Sequence, residues 1–300
     1  MNEKQPTKGV IMKNTEKYRT IKNNPTFRGL SRITENITYS ENGMVLRVIH
    51  PWKCEENAHI RYPLILFIQG SGWTSPDMNF EIPQLSRYAA EGYVVATVTH
   101  RNCMNGFPFP AFLCDVKCAL RYLRAHADEY NIDRDIVIAY GTSSGGNTAL
   151  LLGLTGDDPR YKTCEYADQS DSVSAVVECF GPTDIFDLGD FHKKRGSGLD
   201  LIPPLLGGDE HSETAQNNAR EMSPLLIAEA GKDYPPTLII HGDCDDVVPY
   251  ETQGEAMFKR LDELGYDASL IRVEGAEHEG SFWSHELHGM IIDFMSNAVK

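Results

Sequence analysis

No stretch of this chain is apolar for long enough to cross a membrane as a helix, and nowhere do its basic residues gather into a dense cluster. A helical span needs about 20 apolar residues, so the first absence argues against one. The second matters because 28 Lys and Arg stand against 43 Asp and Glu, a net charge of -15. A field of that sign repels polyanions, and neither nucleic acid nor an acidic membrane surface is an expected partner. Paired cysteines are missing as well. The seven present (Cys54, Cys103, Cys114, Cys118, Cys164, Cys179, Cys244) are scattered, odd in number and free of C-x-x-C spacing. That argues against a disulfide scaffold, a zinc ribbon and a dithiol redox site, and is expected of reduced thiols in the cytoplasm. The first 24 residues, rich in Lys, Asn, Glu and Thr, contain no apolar segment of the secretory kind, which gives the same expected address. Internal repeats and low-complexity tracts are also lacking.

With 41% hydrophobic and 24% charged residues the chain has ample material for one large core. Residues 1–30 read as a loosely held tail and 31–300 as one domain. Ile33 to Ser40 and Met44 to His50 are apolar runs separated by Glu41-Asn42-Gly43, the signal of an antiparallel hairpin. Leu64 to Ile68 is continuously apolar, as a strand buried on both faces must be, and ends in Gln69-Gly70-Ser71-Gly72-Trp73. Strand and helix patterns then alternate. Helices are expected over Phe80 to Glu91, Ala111 to His126, Asn147 to Leu154 and Phe282 to Val299. Strands are expected over Tyr93 to Val98, Ile136 to Tyr140, Val173 to Cys179, Thr237 to His241 and Ala268 to Val273. Such alternation specifies an α/β class with a mostly parallel central sheet and helices on both faces. Phe186 to Tyr234 breaks the rhythm with Gly, Pro and charge, and reads as a lid-like insertion.

Gly141-Thr142-Ser143-Ser144-Gly145 is the one G-x-S-x-G of the chain and lies between a buried strand and a helix. Only small neighbours allow a serine to stand on so sharp a turn, so Ser143 is the candidate nucleophile. A serine hydroxyl needs a base, and the base a carboxylate to orient it. His278, in the loop after the last strand, is the expected base over His241, His285 and His288. Asp245, within Asp243-Cys244-Asp245-Asp246, is the expected acid over its two neighbours and Asp184. Acyl transfer builds negative charge on a carbonyl oxygen; the amide of Ser144 and that of Ser71 or Gly72 are the expected donors to it. Trp73, Phe107, Phe109 and Trp283 could wall a substrate pocket. His285-Glu286-Leu287-His288 lacks the spacing of a zinc site, and no metal or organic cofactor is expected. Asn36-Ile37-Thr38 matches a glycosylation acceptor, which has no meaning at a cytoplasmic address.

The stretches Phe67 to Trp73, Phe107 to Ala111 with Asp115, Gly141 to Gly146, Gly181 to Asp184, His241 to Pro249 and His278 together resemble the α/β-hydrolase esterases. The closest branches are the acetyl and feruloyl esterases and the hormone-sensitive-lipase-like carboxylesterases. The likeness runs from about Ile33 to the C-terminus, and implies an α/β-hydrolase fold with Ser143, Asp245 and His278 as its triad. It departs at the oxyanion loop, where Gln69 and Ser71 replace the His and middle Gly of His-Gly-Gly-Gly. The reading is hydrolysis of small carboxylic esters, acetyl or related short-chain and aryl esters, including those of carbohydrates. An amide hydrolase, such as an aryl formamidase or small peptidase, and a non-catalytic binding protein on the same fold are the alternatives.

Overall fold

A computed structural model describes residues 18–196 and 201–299. Of the expected tail, residues 1–17 lie outside the described residues, whereas 18–30 are exposed and irregular. Among the described residues there are eight strands, β1 (Ser31–Thr38), β2 (Val45–Pro51), β3 (Tyr62–Ile68), β4 (Val94–Val98), β5 (Ile132–Thr142), β6 (Ala175–Cys179), β7 (Thr237–Gly242) and β8 (Ala268–Val273). They form one sheet in the order β1-β2-β4-β3-β5-β6-β7-β8. β1 and β2 make the expected antiparallel hairpin and β2 pairs antiparallel with β4, while the neighbours from β4 through β3 to β8 are parallel.

The helices are α1 (Ile82–Ala90), α2 (Ala111–Ala125), α3 (Ala127–Tyr130), α4 (Ser144–Leu154), α5 (Ile185–Arg195), α6 (Ile202–Leu206), α7 (Glu213–Glu221), α8 (Pro224–Ile227), α9 (Gly254–Glu263) and α10 (His285–Ala298). Strand alternation sorts the core into two layers. Leu64, Leu66 and Ile68 face α2, α4 and α9, whereas Ile65 and Phe67 face α1 and α10. Cutting one of these fully buried aliphatics to Ala would cost about 2–5 kcal/mol, because packed surroundings close a cavity only in part.

Three boundaries moved by three residues or more: β5 begins at Ile132 rather than Ile136, and two helix starts moved for local reasons. The closing helix starts at His285, not Phe282, because Ser284 Oγ accepts the Leu287 amide at 3.0 Å and so fixes the N-terminus. α4 starts at Ser144, three residues before the expected Asn147, since its Gly145-Gly146 pair tolerates helical backbone without announcing it. α9 goes unmarked in the pattern, because Met257 and Leu261 are its only buried apolar side chains. The segment between β6 and β7 folds as α5 to α8. Leu205, Ala215, Ala219 and Met222 from it are buried in the core, so the segment packs down onto the sheet. All seven cysteines are unpaired, and among the described residues no helix is long and apolar enough to cross a membrane.

Candidate active site

Parallel strands deliver their following loops to one edge of the sheet. The loops after β3, β5, β6, β7 and β8 carry Gly70–Trp73, Ser143, Phe180, Asp245 and His278 respectively. Ser143 stands between β5 and α4 at φ 51, ψ -124, a conformation costing on the order of 1–3 kcal/mol for a residue with a side chain. Its amide donates to the Cys179 carbonyl at 2.9 Å, which ties the turn to the neighbouring strand. The glycines beside it are there for space. A Cβ on Gly141 would collide with the Gly145 carbonyl, and one on Gly145 with the carbonyl of Ile68.

His278 bridges the serine and the acid: Nε2 lies 3.0 Å from Ser143 Oγ and Nδ1 2.7 Å from Asp245 Oδ2. Asp245 has no exposed side-chain surface. Its Oδ1 accepts the amides of Val247 and Val248 at 2.9 and 2.8 Å, and His241 Nε2 approaches Oδ2 at 3.3 Å. Burial alone would raise this carboxyl, but hydrogen bonds from His241 and His278, the charge of His278 and the Val248 amide outweigh it. Asp245 is therefore held well below the usual carboxylate range. An ionised carboxylate only accepts, so Nδ1 of His278 carries the ring proton and Nε2 is free to accept from Ser143. The Phe180 ring meets His278 edge-on at 4.8 Å and limits its rotation.

The other candidates of the sequence lie elsewhere. Asp184 caps α5 by accepting the Phe186 and Asp187 amides. Asp243 holds Arg272 and the Gly275 amide, and Asp246 stands 3.7 Å from Arg195. His285 contacts Arg87, and His288 contacts the Tyr88 hydroxyl, so this pair does not converge on a common point. His241 shares its Nε2 with the Val248 carbonyl at 2.9 Å.

At the oxyanion loop, Ser71 and Gly72 differ. The Ser71 amide is taken up by Ser144 Oγ at 2.9 Å, and the Gly70 amide by Thr142 Oγ1 at 3.0 Å. The Gly72 amide makes no hydrogen bond among the described residues, and neither does the Ser144 amide, the first of its helix. The four pocket aromatics are divided. Trp73 and Phe109 are buried in the core layer of α2 and α4, Trp283 packs on the opposite layer, and Phe107 is exposed beneath Arg101. Two residues near the site escape a reading by motif, Phe180 and Glu178. Glu178 is the one acid in the apolar strand β6, which is a sequence signal in itself. Burial first, and Asp245 nearby, push it up to about 8 against the amide of Gly181.

The family described as BD-FAE matches residues 53–261 of this chain. Esterase LipC of Mycobacterium tuberculosis is 30% identical over 242 residues, 77% of this chain and 56% of LipC. An arylesterase of Saccharolobus solfataricus is 25% identical over 78% of this chain and 71% of its own. The chain spans about half the length of the first curated relatives it matches, 56% of LipC and 42% of a probable carboxylic ester hydrolase, LipM, of the same bacterium. Among solved structures, a truncated carbohydrate esterase from gut microbiota superposes with TM-score 0.72 at 27% identity, covering 92% of this chain and 99% of that one.

Proposed function

Because the chain belongs to the BD-FAE family, we propose that it is a serine esterase in which Ser143, His278 and Asp245 act as nucleophile, base and acid. The observation that carries this reading is the continuous hydrogen-bonded relay from Ser143 Oγ through His278 to Asp245. His278 takes the serine proton as Oγ attacks the ester carbonyl, and Asp245 stabilises the imidazolium that results. The tetrahedral oxyanion is held by the amides of Ser144 and Gly72, worth about 3 kcal/mol each where water is excluded. His278 then protonates the leaving alcohol, and water releases the acid from the acyl-enzyme by the same route in reverse. Gly72 takes the second donor role because the Ser71 amide is already bonded to Ser144.

Small esters of acetyl, related short-chain or aryl type are the proposed substrates, supported by the names of LipC and the arylesterase. Carbohydrate acyl esters belong to the same range, supported by the likeness to a gut carbohydrate esterase. The α5–α8 segment is the proposed cover of the site. Leu201, at its α6 end, stands where a Cβ on Gly72 would come within 3.0 Å of its methyl. Seven unpaired thiols support a reducing, cytoplasmic address, and the charge of -15 a small-molecule partner rather than nucleic acid.

Purified protein is expected to hydrolyse p-nitrophenyl acetate, and Ser143→Ala to lose about 10⁴-fold or more in kcat while unfolding at the same temperature. Wild-type turnover by the alanine variant would remove Ser143 from the mechanism.

A further inference from the structure

A small cavity of about 210 Å³ lies where β3 and β4 end and α1 begins. Three side-chain oxygens of residues that line it, Gln69 Oε1, Glu81 Oε1 and Thr97 Oγ1, are buried and have no hydrogen-bond partner among the described residues. Glu81 and Thr97 are 5% and 3% exposed, so water reaches neither freely. Their convergence follows from the sheet. Thr97 stands opposite Phe67 in the parallel pair of β3 and β4, and Gln69, two residues beyond Phe67, falls on the same face. Glu81 enters the same space from the position before α1. Asp77, an exposed residue of the same lining, adds a second carboxylate at the mouth.

We propose that this cavity is a site for a hard divalent cation of the Ca²⁺ kind, held by the side-chain oxygens of Gln69, Glu81 and Thr97 with Asp77 at its mouth. A buried oxygen without a partner is costly, and a buried carboxylate needs a cation or a proton beside it. Amide, hydroxyl and carboxylate oxygens, completed by water, are the ligands that Ca²⁺ takes in its irregular shells. No imidazole or thiol is among the described residues that line the cavity, which argues against zinc or copper. Two carboxylates match the two charges of the ion. Arg47, the partner of Thr97 across β2 and β4, is bonded to Met78 and Asn79 and stands 3.6 Å from Glu35. With Glu35, Asp77 and Glu81 around that one guanidinium, the locality stays negative. The ion ties Gln69, which opens the oxyanion loop, to β4 and to the start of α1. Its role is structural, and acyl transfer does not run through it.

The test needs no turnover and so stands apart from the esterase reading. The whole chain is stripped with EDTA, dialysed into metal-free buffer and unfolded by heat, either alone, with about 5 mM CaCl₂ or with NaCl of equal ionic strength. Ca²⁺ is expected to raise Tm by about 3 °C or more and NaCl to do far less, because only an ion bound to the folded state stabilises it by mass action. Titration calorimetry should find a single Ca²⁺ per chain. Glu81→Gln and Asp77→Asn should each bind at least about tenfold more weakly and lose most of the Tm shift, since a neutral amide replaces one carboxylate. Asp77 is exposed and its one side-chain hydrogen bond, from the Asn79 amide, is kept by asparagine, so this variant still folds if Glu81→Gln does not. No heat and no Tm shift in wild type would mean that water or a proton satisfies these oxygens, and would overturn the proposal. So would a shift of equal size in the variants, or one matched by NaCl.

Discussion

Asp245 and Glu178 lie close together at the edge of the sheet, both buried, yet one is driven towards its charged form and the other towards its neutral form. Asp245 receives two backbone amides and two imidazoles, and its carboxyl lies far below the usual range. Glu178 receives one amide, from Gly181, its Oε2 has no partner among the described residues, and its carboxyl is pushed up to about 8. Burial raises both, so the difference is made by donors. A carboxylate is retained in a dry site only when enough hydrogen bonds replace its water.

The largest expected effect tests that donor count at the acid. Asp245→Asn should lower kcat by about 10³–10⁴-fold with little change in KM, since the amide favours the wrong tautomer of His278. Asp243→Asn and Asp184→Asn, whose partners are an arginine and a helix terminus, should stay within a few-fold. The opposite ranking would move the acid. Next, His241→Ala removes one donor from Asp245 and should cost about tenfold in kcat, with partial recovery in His241→Gln, whose amide can reach towards the same oxygen. No loss in either variant would show that the amides of Val247 and Val248 suffice alone.

The remaining effect is on stability, and its sign separates the two acids. Glu178 binds a proton in the folded state up to about pH 8, but unfolded only up to its ordinary value near 4.5. Folding stability therefore falls as pH rises through that window, by up to about 1.4 kcal/mol per pH unit for one such group. Asp245 is depressed, so its contribution is present above the unfolded value and is lost on acidification. Urea unfolding at pH 5.5 and 7.5 should show a shallower loss in Glu178→Gln than in wild type. An unchanged slope would mean that Glu178 is ionised when folded.

Much of the edge that carries the site is legible in the sequence because its signals are local. A continuous apolar run ending in glycines marks β3 and its loop, and Ser143 among small residues marks a strained turn. What stays hidden depends on contacts between distant segments. Nothing in Gln69-Gly70-Ser71-Gly72 reveals that the Ser71 amide is occupied by Ser144 and that of Gly72 is not. Trp73 and Phe109 look like pocket walls because they follow strand ends, but each packs with Phe112 inside the core.

The central claim is that Ser143 is activated by His278 and Asp245, and covalent labelling tests it without a choice of substrate. Exposure to a fluorophosphonate followed by peptide mass spectrometry should place one adduct on Ser143, formed far more slowly in Asp245→Asn and absent in Ser143→Ala. An adduct on another residue, or equal labelling of Asp245→Asn and wild type, would contradict the account.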